Sequence, residues 1–122
     1  AVLSTSAECT LIGTYDTGVQ RLCGTHIEHI AGLEKVWVNP NGIQMHPEIN
    51  AVLISTLGDG LWMLTDHNQL KQWHGAGTLP SDDVTTTIIF DDKLWIGTRN
   101  GLAAWPLAHI KPDMKMAGLN RP

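Results

Sequence analysis

The stretch that decides the fold is Leu94-Trp95-Ile96-Gly97-Thr98-Arg99-Asn100-Gly101-Leu102-Ala103-Ala104-Trp105. Leu94 to Thr98 is a short β-rich run, Asn100-Gly101 interrupts it, and Leu102 to Trp105 resumes it. Asn-Gly between two apolar runs signals a hairpin, because a type I′ turn needs positive φ at both central residues. The unit occurs three times. Leu53-Ile54-Ser55-Thr56 with Gly60-Leu61-Trp62-Met63-Leu64 is the second copy, and Leu11-Ile12-Gly13-Thr14 with Gly18-Val19-Gln20-Arg21-Leu22 is the first. Thr14, Thr56 and Thr98 recur every 42 residues, and Gly18 and Gly60 keep that interval. Gly101 falls one residue early, so the third turn is one residue shorter.

The register extends between the hairpins. Trp37-Val38-Asn39-Pro40-Asn41-Gly42 falls on Leu79-Pro80-Ser81-Asp82-Asp83-Val84 at the same offset, with no gap. A fixed period in the low forties built of short β-runs is the pattern of a β-propeller blade. The expected fold is therefore all-β, with about three four-stranded antiparallel blades over 1–36, 37–78 and 79–116 and a tail over 117–122. By the 42-residue offset, Ala1 to Thr5, Ile43 to His46 and Val84 to Phe90 are the inner strands. Cys9 to Thr14 pairs with Val19 to Cys23, Ala51 to Thr56 with Leu61 to Thr65, and Leu94 to Thr98 with Leu102 to Leu107. His26 to Ala31, Gln69 to Trp73 and Ala108 to Met116 are the outer strands, the last demoted to an edge by Pro112. Pro47-Glu48-Ile49-Asn50 and Asp91-Asp92 supply turns. Thr, Val, Ile and Trp dominate these runs and Gly or Pro breaks nearly every ten residues, so a helical reading does poorly.

The pattern also predicts packing. Ile12, Ile54 and Ile96 are equivalent and should point to one face of successive sheets, with Leu11, Leu53 and Trp95 on the other. Blade faces are covered by neighbouring blades, which makes the runs continuously apolar instead of alternating. Gly13, Ser55 and Gly97 are small where adjacent sheets approach, and Thr14, Thr56 and Thr98 suit strand ends where a hydroxyl satisfies a backbone group.

Composition excludes several classes. With 43% hydrophobic and 16% charged residues the 122-residue chain is globular. A net charge of −4 without a Lys/Arg cluster leaves no footprint for nucleic acid, and no apolar run is long enough to span a bilayer. A chain that opens Ala1-Val2-Leu3 reads as processed or truncated, so the lack of a signal peptide says little about compartment. Cys9 and Cys23 flank the first hairpin. If the turn pairs residues whose numbers sum to 32, the two lie directly opposite and a cross-strand disulfide is geometrically possible. If Asp16-Thr17-Gly18 is a three-residue loop between Tyr15 and Val19, Cys23 faces Leu11 and Cys9 is a diagonal neighbour, out of reach.

Leu79-Pro80-Ser81-Asp82-Asp83-Val84-Thr85 followed by Leu94-Trp95-Ile96-Gly97-Thr98-Arg99-Asn100-Gly101-Leu102 resembles the two-component-regulator propeller repeat, whose pattern is LPSNxVxxI…LWIGTxxGLxxL. The match is good over the third repeat, fair over the second and weak over the first. The resemblance implies a propeller of about seven blades and a periplasmic or extracellular place in a bacterial cell envelope, as in sensor regions of signalling proteins. It brings no catalytic residues, because the motif is structural. Propellers close with four to eight blades, so three periods call for further blades from the same polypeptide, a homodimer or a partner subunit.

Site chemistry is sparse. Six histidines show no zinc spacing, since His26 and His29 fall on opposite faces of a strand, and no metal or cofactor is expected. Asp82-Asp83 and Asp91-Asp92 read as turn residues; they lack the alternating oxygen ligands of a calcium loop. No nucleophile elbow is present, so no catalytic residue is assigned. Trp62, Trp95 and Trp105 sit in hairpin strands as core. Trp37 enters the Asn39-Pro40-Asn41-Gly42 turn near one mouth of the ring, where Trp37, Asn39 and Asn41 suit a sugar or peptide ligand. The expected role is non-catalytic recognition of a ligand or protein partner. An extrinsic subunit on the periplasmic side of a membrane complex is the alternative, and a propeller hydrolase or lyase the third.

Overall fold

A computed structural model describes residues 1–4, 9–65 and 68–110. Among the described residues the chain is all-β, with three antiparallel sheets and no α-helix. The first sheet holds β1 (Val2–Ser4), β2 (Cys9–Gly13), β3 (Val19–Cys23) and β4 (His26–His29). The second holds β5 (Val38–His46), β6 (Ala51–Thr56), β7 (Leu61–Thr65) and β8 (Leu70–Trp73). The third holds β9 (Val84–Phe90), β10 (Lys93–Thr98) and β11 (Gly101–Pro106). Spatial order follows chain order in each, so every sheet is a simple meander. The strand expected over Ala108 to Met116 does not start as one, because Leu107–His109 forms a 3₁₀ turn. Residues 111–116 and the tail 117–122 lie outside the described residues.

The threonine that recurs every 42 residues does one job three times. Its hydroxyl donates across the hairpin tip to a glycine carbonyl: Thr14 to Gly18 at 2.9 Å, Thr56 to Gly60 at 2.7 Å and Thr98 to Gly101 at 2.7 Å. The same oxygen accepts a tip amide, from Thr17, Asp59 and Asn100 respectively. A side chain that both donates and accepts within its own turn competes well with solvent for those backbone groups. Thr14 N–H also donates to the Gly18 carbonyl at 3.0 Å, so the first loop is Tyr15 to Thr17. That closure places Cys9 opposite Cys23, 4.2 Å apart at Cα, and the two are joined as a disulfide.

The third turn departs from its expected type. Thr98 pairs with Gly101, so Arg99 and Asn100 are its central residues, and neither has positive φ. Only Gly101 does, at +132°. Capture by the Thr98 hydroxyl and a glycine in the fourth position suit an ordinary turn better than a primed one. The positive-φ pair of a primed turn lies instead at Asp91 (+56°) and Asp92 (+57°), linking β9 to β10.

The inner strands also depart from the strict 42-residue offset. Val2 pairs with Ile12, Ile43 with Ile54 and Thr87 with Ile96, so the place of Ile43 is taken by Val2, not Ala1, in the first sheet and by Thr87, not Thr85, in the third. The link out of β5 uses four residues, a 3₁₀ turn over Pro47–Ile49 ended by Asn50 at φ +52°, whereas Asp91-Asp92 uses two. A slip of two residues preserves the alternation of side chains, and Ile43 and Thr87 are both buried. Asn39 to Gly42, expected as a turn, is a bulge within β5, between the pairs Val38–Thr56 and Ile43–Ile54.

Every residue of β6 is buried, because the second sheet is covered on both sides. Val52, Ile54, Leu64 and Ile43 join Leu11, Val19 and Leu33 in one core. Ala51, Leu53, Leu61 and Met63 join Val84, Leu94 and Ile96 in the other. Each fully buried Leu or Ile here contributes about 2 kcal/mol of transfer free energy. Leu11 and Leu53 thus face the following sheet, and Ile54 and Ile96 the preceding one. Their equivalents at the two ends, Ile12 and Trp95, are only half-buried. Gly13 lies where the first two sheets meet; a Cβ there would sit 2.7 Å from Val38 Cγ1. Gly60 (φ +78°) is pressed on the Trp73 carbonyl oxygen, which a Cβ would overlap.

Candidate functional site

One edge of the three sheets collects the hairpin tips. Tyr15, Leu57 and Arg99 each follow the tip threonine, at 42-residue intervals, and all three are exposed. Connecting segments stitch them into one surface. The Trp37 ring lies 6.0 Å from that of Tyr15, tilted by 54°, and the Trp37 carbonyl accepts the Leu57 N–H at 2.8 Å. Leu57 bridges to Asp83, and Arg99 Nε pairs with Asp83 Oδ2 at 3.0 Å.

Asp83 is the fixed point of this edge. Its carbonyl accepts the Arg99 N–H at 2.9 Å and its Oδ1 accepts Asn39 Nδ2 at 3.1 Å, while Ser81 Oγ accepts its own N–H at 3.0 Å. Asn39 Nδ2 also donates to the Val84 carbonyl. Asp82 acts similarly: its carbonyl accepts the Gly58 and Gly60 amides, and Oδ1 accepts the Gly75 N–H. These carboxylates organise the segment between the second and third sheets.

The residues expected to meet a ligand therefore separate. Trp37 is 45% exposed beside Tyr15, itself 59% exposed. Asn41 is exposed at φ +57°. Asn39 is half-buried and its amide is spent on Asp83 and Val84, so it clamps the second sheet to the third. Of the repeat residues, Thr14, Thr56 and Thr98 close turns, Gly13 and Ser55 lie between sheets, and Gly97 faces Thr85 and Thr86 of its own sheet. Sequence reasoning passed over Tyr15 and Leu57. Their signal was the interval itself, the position after each tip threonine.

A second polar group lies between the inner strands. Gln44 Oε1 accepts both the Thr87 N–H (3.0 Å) and the Thr87 hydroxyl (2.9 Å). The Thr87 oxygen then accepts from His46 Nε2 at 3.0 Å, which places the imidazole proton on Nε2. Burial lowers the His46 pKa from its ordinary value, with Glu48 opposing weakly. Two other histidines have partners elsewhere: His26 is 3.8 Å from Glu28, and His109 meets Trp105 edge-on with ring centroids 5.4 Å apart. Among the described residues no three His, Cys, Asp or Glu side chains converge as metal ligands, and no helix is long and apolar enough to cross a membrane.

The tip edge offers two exposed aromatic rings, one exposed amide and a compensated Arg–Asp pair. Such a surface offers rings for stacking and an amide for hydrogen bonding. Compared with known proteins, the chain matches no family model and no curated protein.

Proposed function

We propose that the three sheets are successive blades of a β-propeller of the two-component-regulator repeat kind, acting without catalysis as a recognition module in a bacterial cell envelope. The repeated tip chemistry and the repeated facing of Leu11, Leu53, Ile54 and Ile96 support the blade reading. The Cys9–Cys23 disulfide favours an oxidising compartment. The observation that carries the recognition reading is the exposed Tyr15–Trp37 pair. Large aromatic rings left in solvent fit the C–H face of a pyranose, so the ligand is a glycan. Titrating envelope oligosaccharides while following tryptophan fluorescence and amide shifts tests this. Trp37→Ala should abolish the response, at least about tenfold in Kd, while Asn39→Ala should lower stability and leave affinity per folded molecule unchanged. Binding that survives Trp37→Ala would sink the assignment.

A further inference from the structure

The chain carries two Asn-Gly pairs, Asn41-Gly42 and Asn100-Gly101. An asparagine before glycine can cyclise onto its own main chain, because a residue without Cβ lets its amide nitrogen swing toward the preceding side-chain carbonyl. The fold gives the two pairs opposite surroundings.

Asn41-Gly42 is locked. It lies in the bulge of β5, and Gly42 is buried. A Cβ on Gly42 would sit 2.7 Å from the Asn39 carbonyl oxygen and 2.7 Å from that of Ser55, so backbone of β5 and β6 encloses it. Asn39 is in turn clamped to Asp83 and Val84. Turning the peptide between Asn41 and Gly42 would displace this packing, so the pair must open locally before it reacts. Asn100-Gly101 is held far more loosely. Both residues are exposed at the tip of the third hairpin. The Asn100 N–H reaches Thr98 Oγ at 3.2 Å and its Nδ2 reaches the Pro80 carbonyl at 3.4 Å, long bonds for which water competes. Among the described residues a Cβ on Gly101 would meet Pro80 alone, at 3.6 Å.

We infer that Asn100 is a site of spontaneous deamidation and that its product remodels the third tip. The Gly101 nitrogen gives its proton to hydroxide and bonds to Asn100 Cγ, and the side-chain amide leaves as ammonia. Water then opens the cyclic imide. Opening at Cγ leaves an ordinary aspartate; opening at the main-chain carbonyl leaves an isoaspartate, whose backbone runs through Cβ and Cγ and is one atom longer. Water is gained and ammonia lost, with no oxidant or cofactor. Either product removes the donor that Asn100 offers the Pro80 carbonyl. It also sets a carboxylate next to Arg99, where it competes with Asp83 for the guanidinium. In the isoaspartate the Thr98 hydroxyl no longer spans the amide and the carbonyl it now bridges.

The test holds the oxidised full chain in mildly alkaline buffer, with and without urea, and follows amide-to-acid conversion by mass spectrometry of peptides cut at acid pH. In the folded chain Asn100 should convert at least about tenfold faster than Asn41, the factor set by local opening of β5. In urea the two rates should draw together. Asn100→Gln, whose longer side chain closes a larger ring reluctantly, should keep the circular dichroism and show no conversion at that position. Hydrogen exchange on the converted chain should lose protection at Thr98 and Leu102 while β6 keeps its own, and Asn100→Gln incubated alongside should keep both. An Asn100 that stays intact after Asn41 has converted in urea overturns the site, as does equal conversion of both in the folded chain. Unchanged protection at Thr98 and Leu102 after conversion overturns the remodelling.

Discussion

Replacing Gly60 by alanine tests the tip architecture at its tightest point. Alanine at φ +78° costs about 1–2 kcal/mol for the left-handed backbone. Its Cβ would also overlap the Trp73 carbonyl and lie 2.9 Å from His74 Cβ, so the strand must move. That movement loosens the Gly60 N–H bond to Asp82 and the Thr56 bond to the Gly60 carbonyl, at about 1 kcal/mol each. The expected loss is about 3–4 kcal/mol. Gly24→Ala is the matched control: φ is +63° and nothing lies within 4 Å of its Cβ, so only the backbone cost of about 1–2 kcal/mol applies. Urea unfolding at one fixed chain concentration should separate the two midpoints by about 1 M. Equal midpoints would refute the packing account and leave backbone strain alone.

Thr56→Val should cost about 1–2 kcal/mol because its hydroxyl bonds are buried, and Thr98→Val about half as much because the same bonds are exposed; urea midpoints compare them. His46 has a folded pKa below its unfolded 6.5, so the unfolded chain takes up a proton first as pH falls. Stability should therefore drop below pH 6.5 until the folded value is passed, and His46→Gln should flatten that part of a midpoint-against-pH plot. Reducing the Cys9–Cys23 disulfide, which spans 14 residues, should remove about 3 kcal/mol and lower Tm by about 10 °C in a calorimetric scan.

Strands that carry the repeat were legible in the sequence because their spacing is set by the hairpin. Val19–Cys23, Ala51–Thr56, Leu61–Thr65 and Val84–Phe90 have their expected bounds. Apolar runs on β6 foretold a sheet buried on both faces, since burial removes the polar alternation that a solvated side requires. Turn type was less legible. Asn100-Gly101 carries the strongest local signal, yet the Thr98 hydroxyl captures the chain one residue earlier, a side-chain competition within the turn that dipeptide preference does not contain. The two cysteines illustrate the limit of spacing: it left two registers open, and the Thr14–Gly18 bond selects between them. The role of Asn39 was invisible because its partners, Asp83 and Val84, are more than forty residues away. The tip edge was half legible, with Trp37 evident as an aromatic beside turn residues and Tyr15 hidden until the periodic position was read as a surface.

The corner between an inner strand and the next has four residues in the second sheet and two in the third, yet both leave their buried side chains aimed inward. The first sheet sets Val2 opposite Ile12, a step of one residue from the second sheet, so this corner is a place where length varies while the hairpin pairing holds. Taking two residues out of Pro47–Asn50 should keep Ile43 in the core, the arrangement Thr87 already has behind its shorter corner.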